Sequence, residues 1–231
     1  MNSALRSRFH SHALTVFEVV VAIALIVFLA AVFFPCTCGG YISHAKTRQL
    51  SNGKIIFIAM VNYAGTDDYP LYRDRKDLSS KFTDSNEAFE TLLGGGYLDD
   101  KKILFQNGSA WCRKAANTEA TAKQVLPGEN DWCYVAGLNR TTARSNWPIL
   151  ANAFVPGTTH YVADVGKKGG VWKGAKAVVV YCGGNAEIED TLDKGGSYIV
   201  RRKDQVQEDA FVPTADWLTG SNVKVLYPKG D

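Results

Sequence analysis

Between Val19 and Phe34 there is no charged or hydrogen-bonding side chain, and this run limits the possible folds more than any other stretch. With Leu14 to Glu18 it makes a segment of 34 − 14 + 1 = 21 residues ahead of Pro35. As a helix rising about 1.5 Å per residue, such a segment reaches roughly 30 Å, the thickness of a bilayer's hydrocarbon core. Glu18 lies inside it. An ionised carboxylate is costly in that setting unless something neutralises it, so an acid kept there implies a partner.

The order Ala13, Leu14, Thr15, Val16, Phe17, Glu18, with Pro35 downstream, resembles the prepilin cleavage and methylation signal of the type IV pilin and type II secretion pseudopilin superfamily. In that bacterial family a short basic leader ends in a small residue, usually Gly. The mature chain begins with a hydrophobic residue, has Thr second and Glu fifth, and often carries a proline near position 22. Here Leu14 would be the first mature residue, Thr15 the second and Glu18 the fifth, and Pro35 falls at 35 − 13 = 22. Ala13 stands where Gly is usual, and Leu14 where Phe is usual. The resemblance implies cleavage by a prepilin peptidase between Ala13 and Leu14 and N-methylation of Leu14. It further implies assembly through Thr15, Glu18 and Pro35, with Glu18 pairing with the N-terminal ammonium of the preceding subunit.

Other readings of the stretch explain less. A secretory signal has an apolar core of about 7–15 residues ending at a small-x-small site, and has no use for an acid such as Glu18. A lipoprotein signal needs small residues before its modified cysteine, whereas Phe34 and Pro35 precede Cys36. A plain single-pass anchor explains the hydrophobicity but neither Glu18 nor the position of Pro35.

Charge gives the orientation. The formal net charge of +3 includes Arg6 and Arg8, whose removal leaves 26 − 2 = 24 basic against 23 acidic residues. That balance offers no basic face for nucleic acid. Arg6 and Arg8 favour a cytoplasmic N-terminus in the inner membrane, with everything after Pro35 outside the cytoplasm. The five cysteines are Cys36, Cys38, Cys112, Cys133 and Cys182. A Cys112–Cys133 bridge would close a polar loop in an oxidising compartment. The odd count leaves at least one thiol unpaired or shared between subunits. A zinc site would need a CxxC pair or a His cluster, and neither is present.

Four segments follow: residues 1–13 as leader, 14–34 as transmembrane helix, 35–64 as an amphipathic continuation and 65–231 as a globular α+β domain. Pro35 kinks the helix rather than ending it. Ile42, Ala45, Ile56, Ala59 and Tyr63 recur at helical spacing, until Gly65 and Pro70 stop the pattern. A continuous helix from Leu14 to Ala64 would resemble the pilin stalk, and the fold that this likeness implies is a long helix packed on a small antiparallel sheet. Asp84 to Tyr97 predicts a second helix capped by Asp84 or Ser85 and ended by Gly94 to Gly96. Trp132 to Ala136 reads as a strand and Trp147 to Phe154 as an edge segment. Ala177 to Cys182, the turn Gly183-Gly184-Asn185 and the return from Ala186 predict a hairpin. Residues 190–231 read as a loop-rich tail with one short helix or strand.

Catalytic chemistry does not emerge. His160 and Asp164 lack a nucleophile signature such as G-x-S-x-G. Some pseudopilins hold structural calcium, and Asp67 and Asp68 are oxygen donors, but the twelve-residue ligand loop is absent. The paired glycines lack the strand–GxGxxG–helix setting of a phosphate cradle. The sequence therefore predicts no enzyme and no cofactor, but a filament subunit whose partners are the inner membrane, prepilin peptidase, other subunits and the assembly platform. The other reading is a membrane-tethered binding domain that does not polymerise, its surface built from Trp111, Trp132, Trp147 and Trp172.

Overall fold

The computed structural model describes residues 16–33, 37–65, 82–113, 123–138, 143–201, 208–211 and 223–230. The chain divides into two compact units, Met1–His44 and Ala45–Asp231. The first contains helix α1 (Val16–Phe33); helix α2 (Thr37–Gly65) crosses the boundary.

The fold differs from the sequence expectation in three respects. There is no single helix from Leu14 to Ala64: α1 and α2 are separate elements, and Pro35, which has no N–H to donate, lies between them. Among the described residues no helix is long and apolar enough to cross a membrane. The 18 residues of α1 reach only about 27 Å. Nor is the sheet small: among the described residues it has seven strands, all paired antiparallel, in the order β3-β6-β5-β4-β2-β1-β7.

The strands are β1 (Trp132–Ala136), β2 (Pro148–Asn152), β3 (His160–Tyr161), β4 (Lys176–Tyr181), β5 (Ala186–Asp193), β6 (Tyr198–Val200) and β7 (Lys224–Leu226). The apolar run Ala177 to Tyr181 is wholly buried because β4 is central. Its hairpin with β5 forms where the glycines predict it. Gly184 has φ +84°, which a side chain resists, and Tyr181 N donates to Asn185 O across the turn. Trp147 to Phe154 reads as an edge segment in the sequence, yet β2 lies between β1 and β4. Pro148 is tolerated there because it opens the strand, and the β2–β4 register shifts between it and Leu150. The tail contributes two strands, β6 and β7, and β7 reaches back to pair with β1.

Two helices complete the core. Ile56, Ala59, Met60 and Tyr63 of α2 are buried in the same cluster as Trp132 and Val180. Gly53 makes this approach possible: a Cβ there would lie 2.7 Å from Val180 Cγ2 and 2.8 Å from Trp132 Cη2. Helix α3 (Ser85–Gly94) starts where the sequence predicts. Asp84 accepts from Glu87 N, and Thr83 N donates back to Glu87 at 2.8 Å, so two helix-start donors are satisfied. Phe89 and Leu92 then face the core.

The sheet also curls. Tyr227, just after β7, donates its hydroxyl to Thr158 O, just before β3, at 2.7 Å. The two ends of the strand order are thus joined.

Candidate functional site

Helix α1 is the part of the molecule least able to stand alone. Every side chain from 16 to 28 is exposed. Phe17, Val20, Ile23, Ile26 and Phe28 each leave more than half their surface uncovered. At about 100° per residue the positions from Val16 to Phe28 together point to all sides of the axis, and Glu18 is the only polar one among them, so no face of α1 is polar enough for water. A helix apolar all round is stable only in apolar surroundings. Glu18 is the sole charge in it and sits in the first turn, where the positive end of the helix favours an anion.

Of the other residues assigned to processing and assembly, Ala13, Leu14, Thr15 and Pro35 lie outside the described residues, as do Asp67 and Asp68. Cys112 and Cys133 are described, and both are buried free thiols, as is Cys182; no Cys112–Cys133 bridge is formed. Cys112 Sγ is held by its own loop, accepting from Gln106 N at 3.4 Å. Burial, then the Asp131 carboxylate, pushes the Cys112 thiol up. Burial does the same to Cys133, against a backbone hydrogen bond from Phe154. Neither is a reactive thiolate.

The tryptophans do not make a binding surface: Trp111, Trp132 and Trp172 are buried and Trp147 is half-buried. They belong to the interior, where Trp111 Nε1 donates to Phe154 O at 2.9 Å while the buried Trp132 Nε1 has no hydrogen-bond partner among the described residues. Asn152 is the hub. Its Nδ2 donates to Asp131, and its Oδ1 accepts from Trp172 Nε1 and Val178 N, both at 3.0 Å. Ser109 donates to the other Asp131 oxygen. Complete burial pushes the Asp131 carboxyl up to about 7, with the Ser109 and Asn152 hydrogen bonds opposing. Nearby, Lys101 and Glu129 form a buried ion pair at 2.9 Å; Gln124 O accepts from the ammonium and Leu126 N donates to the carboxylate. Each of these groups holds loop to strand or loop to helix.

His160 and Asp164 are not brought together as a catalytic pair. Asp164 folds back on its own turn, accepting from Gly166 N at 2.9 Å with Lys167 Nζ 3.9 Å away. His160 instead lines a cleft of about 430 Å³ between the two ends of the sheet. Lys224 and Val225 of β7 form the opposite wall, and Phe211 contributes an apolar surface. No cluster of three or more metal-ligating side chains occurs among the described residues.

No family model matches the chain, and comparison with curated proteins and with solved structures gives no match.

The sequence reading missed the cleft because its walls come from segments some sixty residues apart, with no motif in either. It also missed the burial of Glu129, Asn130 and Asp131, three consecutive polar residues in a stretch punctuated like a surface loop.

Proposed function

We propose that this chain is a structural subunit of a type II secretion or type IV pilus-like filament, trimmed between Ala13 and Leu14 by a prepilin peptidase and assembled through its N-terminal helix. The observation that carries this reading is α1 itself: an 18-residue apolar helix whose side chains from Val16 to Phe28 are exposed on every side, with one acid in its first turn. Copies of the same helix, bundled together, supply the apolar surroundings it lacks. The cleavage-signal resemblance of Ala13 to Glu18, which shares Glu18 with α1, supports the same reading.

In the bundle, Glu18 of an incoming subunit pairs with the ammonium of Leu14 on the one before it. N-methylation leaves that amine able to carry its charge. In low dielectric the pair fixes axial register chiefly because leaving either charge unmatched is so unfavourable. Before assembly the chain resides at the inner membrane, its N-terminus cytoplasmic beside Arg6 and Arg8 and the sheet unit outside. In this role the chain is no enzyme. The tethered binding domain is the weaker reading, since the tryptophans that would have formed its surface are mostly interior.

The test is the intact mass and peptide map of the chain from the membrane fraction. A mature chain beginning at N-methylated Leu14 is expected. An intact leader starting at Met1 would overturn the processing step and, with it, the filament role.

A further inference from the structure

The two faces of β5 differ in charge, and one of them gathers cations from three other segments. We propose that Lys46, Lys176 and Arg201, clustered around Asp190, form a basic face that rests on anionic phospholipid headgroups, an inference that rests on the membrane residence proposed above for the chain before assembly.

Strand alternation sorts the charges. Lys176 of β4 is registered with Asp190 of β5 and donates to it. On the other side Thr191 is registered with Val200, so the residues one step away, Asp190 and Arg201, stand opposite each other. Directly opposed residues share a face of the sheet. Here it is the face of Val178 and Val180, against which Gly53 of α2 packs. The other acids of β5, Glu187, Glu189 and Asp193, alternate onto the opposite face, where Tyr181 donates to Glu189 at 2.5 Å. Asp190 is therefore the one acid of β5 on the α2 side.

Lys46 reaches the same place from α2. Its ammonium lies 6.0 Å from the ring centroid of Trp172, and Trp172 is itself fixed by its Nε1 bond to Asn152 at 3.0 Å. The Asp190 carboxyl feels all three cations: the hydrogen bond and charge of Lys176 first, then Arg201 and Lys46, hold it below the ordinary carboxylate range. Three positive charges thus meet one carboxylate. Helix α2 offers no acid to offset them, since its 29 residues include Lys46, Arg48 and Lys54 but neither Asp nor Glu. Asp209, bridged to Arg201 through the backbone, gives its carboxylate to Thr159 Oγ1 and Phe211 N instead. Arg201 Nε has no hydrogen-bond partner among the described residues.

The cluster includes the start of the sheet unit. Lys46 is the second residue of that unit, 46 − 33 = 13 residues beyond the end of α1. Four extended steps and nine helical ones reach about 30 Å at most, so Lys46 stays near whatever surface α1 enters. Anionic headgroups attract lysine and arginine over about a Debye length. Chain connection thus brings one anionic surface within reach of an unbalanced basic face.

The experiment places the full chain in lipid nanodiscs of phosphatidylcholine alone, or with about 30 mol% phosphatidylglycerol, and follows acetylation of Lys176 by peptide mass mapping. Co-elution with the neutral discs is expected from α1 alone; its failure would overturn the membrane residence and this proposal with it. In discs that hold the chain, Lys176 should react severalfold more slowly on the anionic lipid, and about 0.5 M KCl should remove that protection. Lys46→Gln combined with Arg201→Gln should also remove it, with a thermal melt confirming that the variant is folded. The salt comparison uses the unaltered chain and decides the matter without the variant. Equal acetylation on the two lipids, protection that survives the salt, or full protection in the folded double variant would each overturn the proposal and leave the membrane residence standing.

Discussion

In α1 every side chain from 16 to 28 stands uncovered and Glu18 is the only charge among them, whereas in the sheet unit Asp131, Glu129 and Lys101 are buried and hydrogen-bonded to named neighbours. Both regions place an acid among apolar residues. The sheet unit resolves the conflict internally, with Ser109 and Asn152 at Asp131 and Lys101 at Glu129. In α1 the apolar surface can be covered only by something outside the unit. A fold that covers its own apolar surface can stand alone; a helix that leaves its apolar surface uncovered cannot. That contrast supports the proposed division, assembly through α1 and stability in the sheet, and it can be tested by breaking each separately.

The largest effect should come from Glu18→Ala. Assembled material is expected to fall by about tenfold or more, read by sedimentation and electron microscopy, while cleavage and the melting of the sheet unit stay unchanged. Normal filaments from this variant would falsify the register role. The converse experiment is Lys101→Met, which strands Glu129 in the interior. Urea unfolding should show a loss of about 3–5 kcal/mol, and adding Glu129→Leu should restore much of it.

A gentler probe is pH. The Asp131 carboxyl is raised from its ordinary 3.8 to about 7, so the folded state holds a proton that the unfolded chain releases. Stability is then fullest below about 4, falls as pH rises towards 7 and levels off above it. Asp131→Asn should flatten that slope, and an unchanged urea midpoint profile in the variant would count against the buried acid as its cause. The smallest change concerns Gly53. Alanine there gains about 1 kcal/mol of helix propensity but drives a methyl into Val180 and Trp132. The net expectation is a loss of about 1 kcal/mol in urea unfolding, with assembly unaffected.

What could be read from the residues and what could not follow a physical division. The hairpin of β4 and β5 was legible because Gly183-Gly184-Asn185 fixes the turn locally, and α3 was legible because Asp84 and Glu87 act within one helical turn. The place of β2 in the sheet was not, since a proline at a strand's first residue looks the same whether the strand is central or at the edge. The pairing of β7 with β1 joins segments some ninety residues apart, and three residues of sequence carry no sign of it. The separation of α1 from α2 was half visible: Pro35 marked the position but suggested a kink. At the candidate site, the apolar run and Glu18 were plain, because a long run without a single polar group has few explanations. The buried Asp131 was hidden, since Ser109 and Asn152, which make its burial tolerable, come from different loops and strands.

The hydrogen bond from Tyr227 to Thr158 has a further consequence, for crowding. An open sheet offers its outer strands to any other chain with an unpaired edge, and subunits packed side by side meet such edges constantly. Here the outermost strands are only two and three residues long, and the tie between them turns the ends of the sheet toward each other. Little exposed ladder is left for a stray strand to extend. In the proposed filament, contact between copies is thereby directed to the helix rather than to the edges of the sheet.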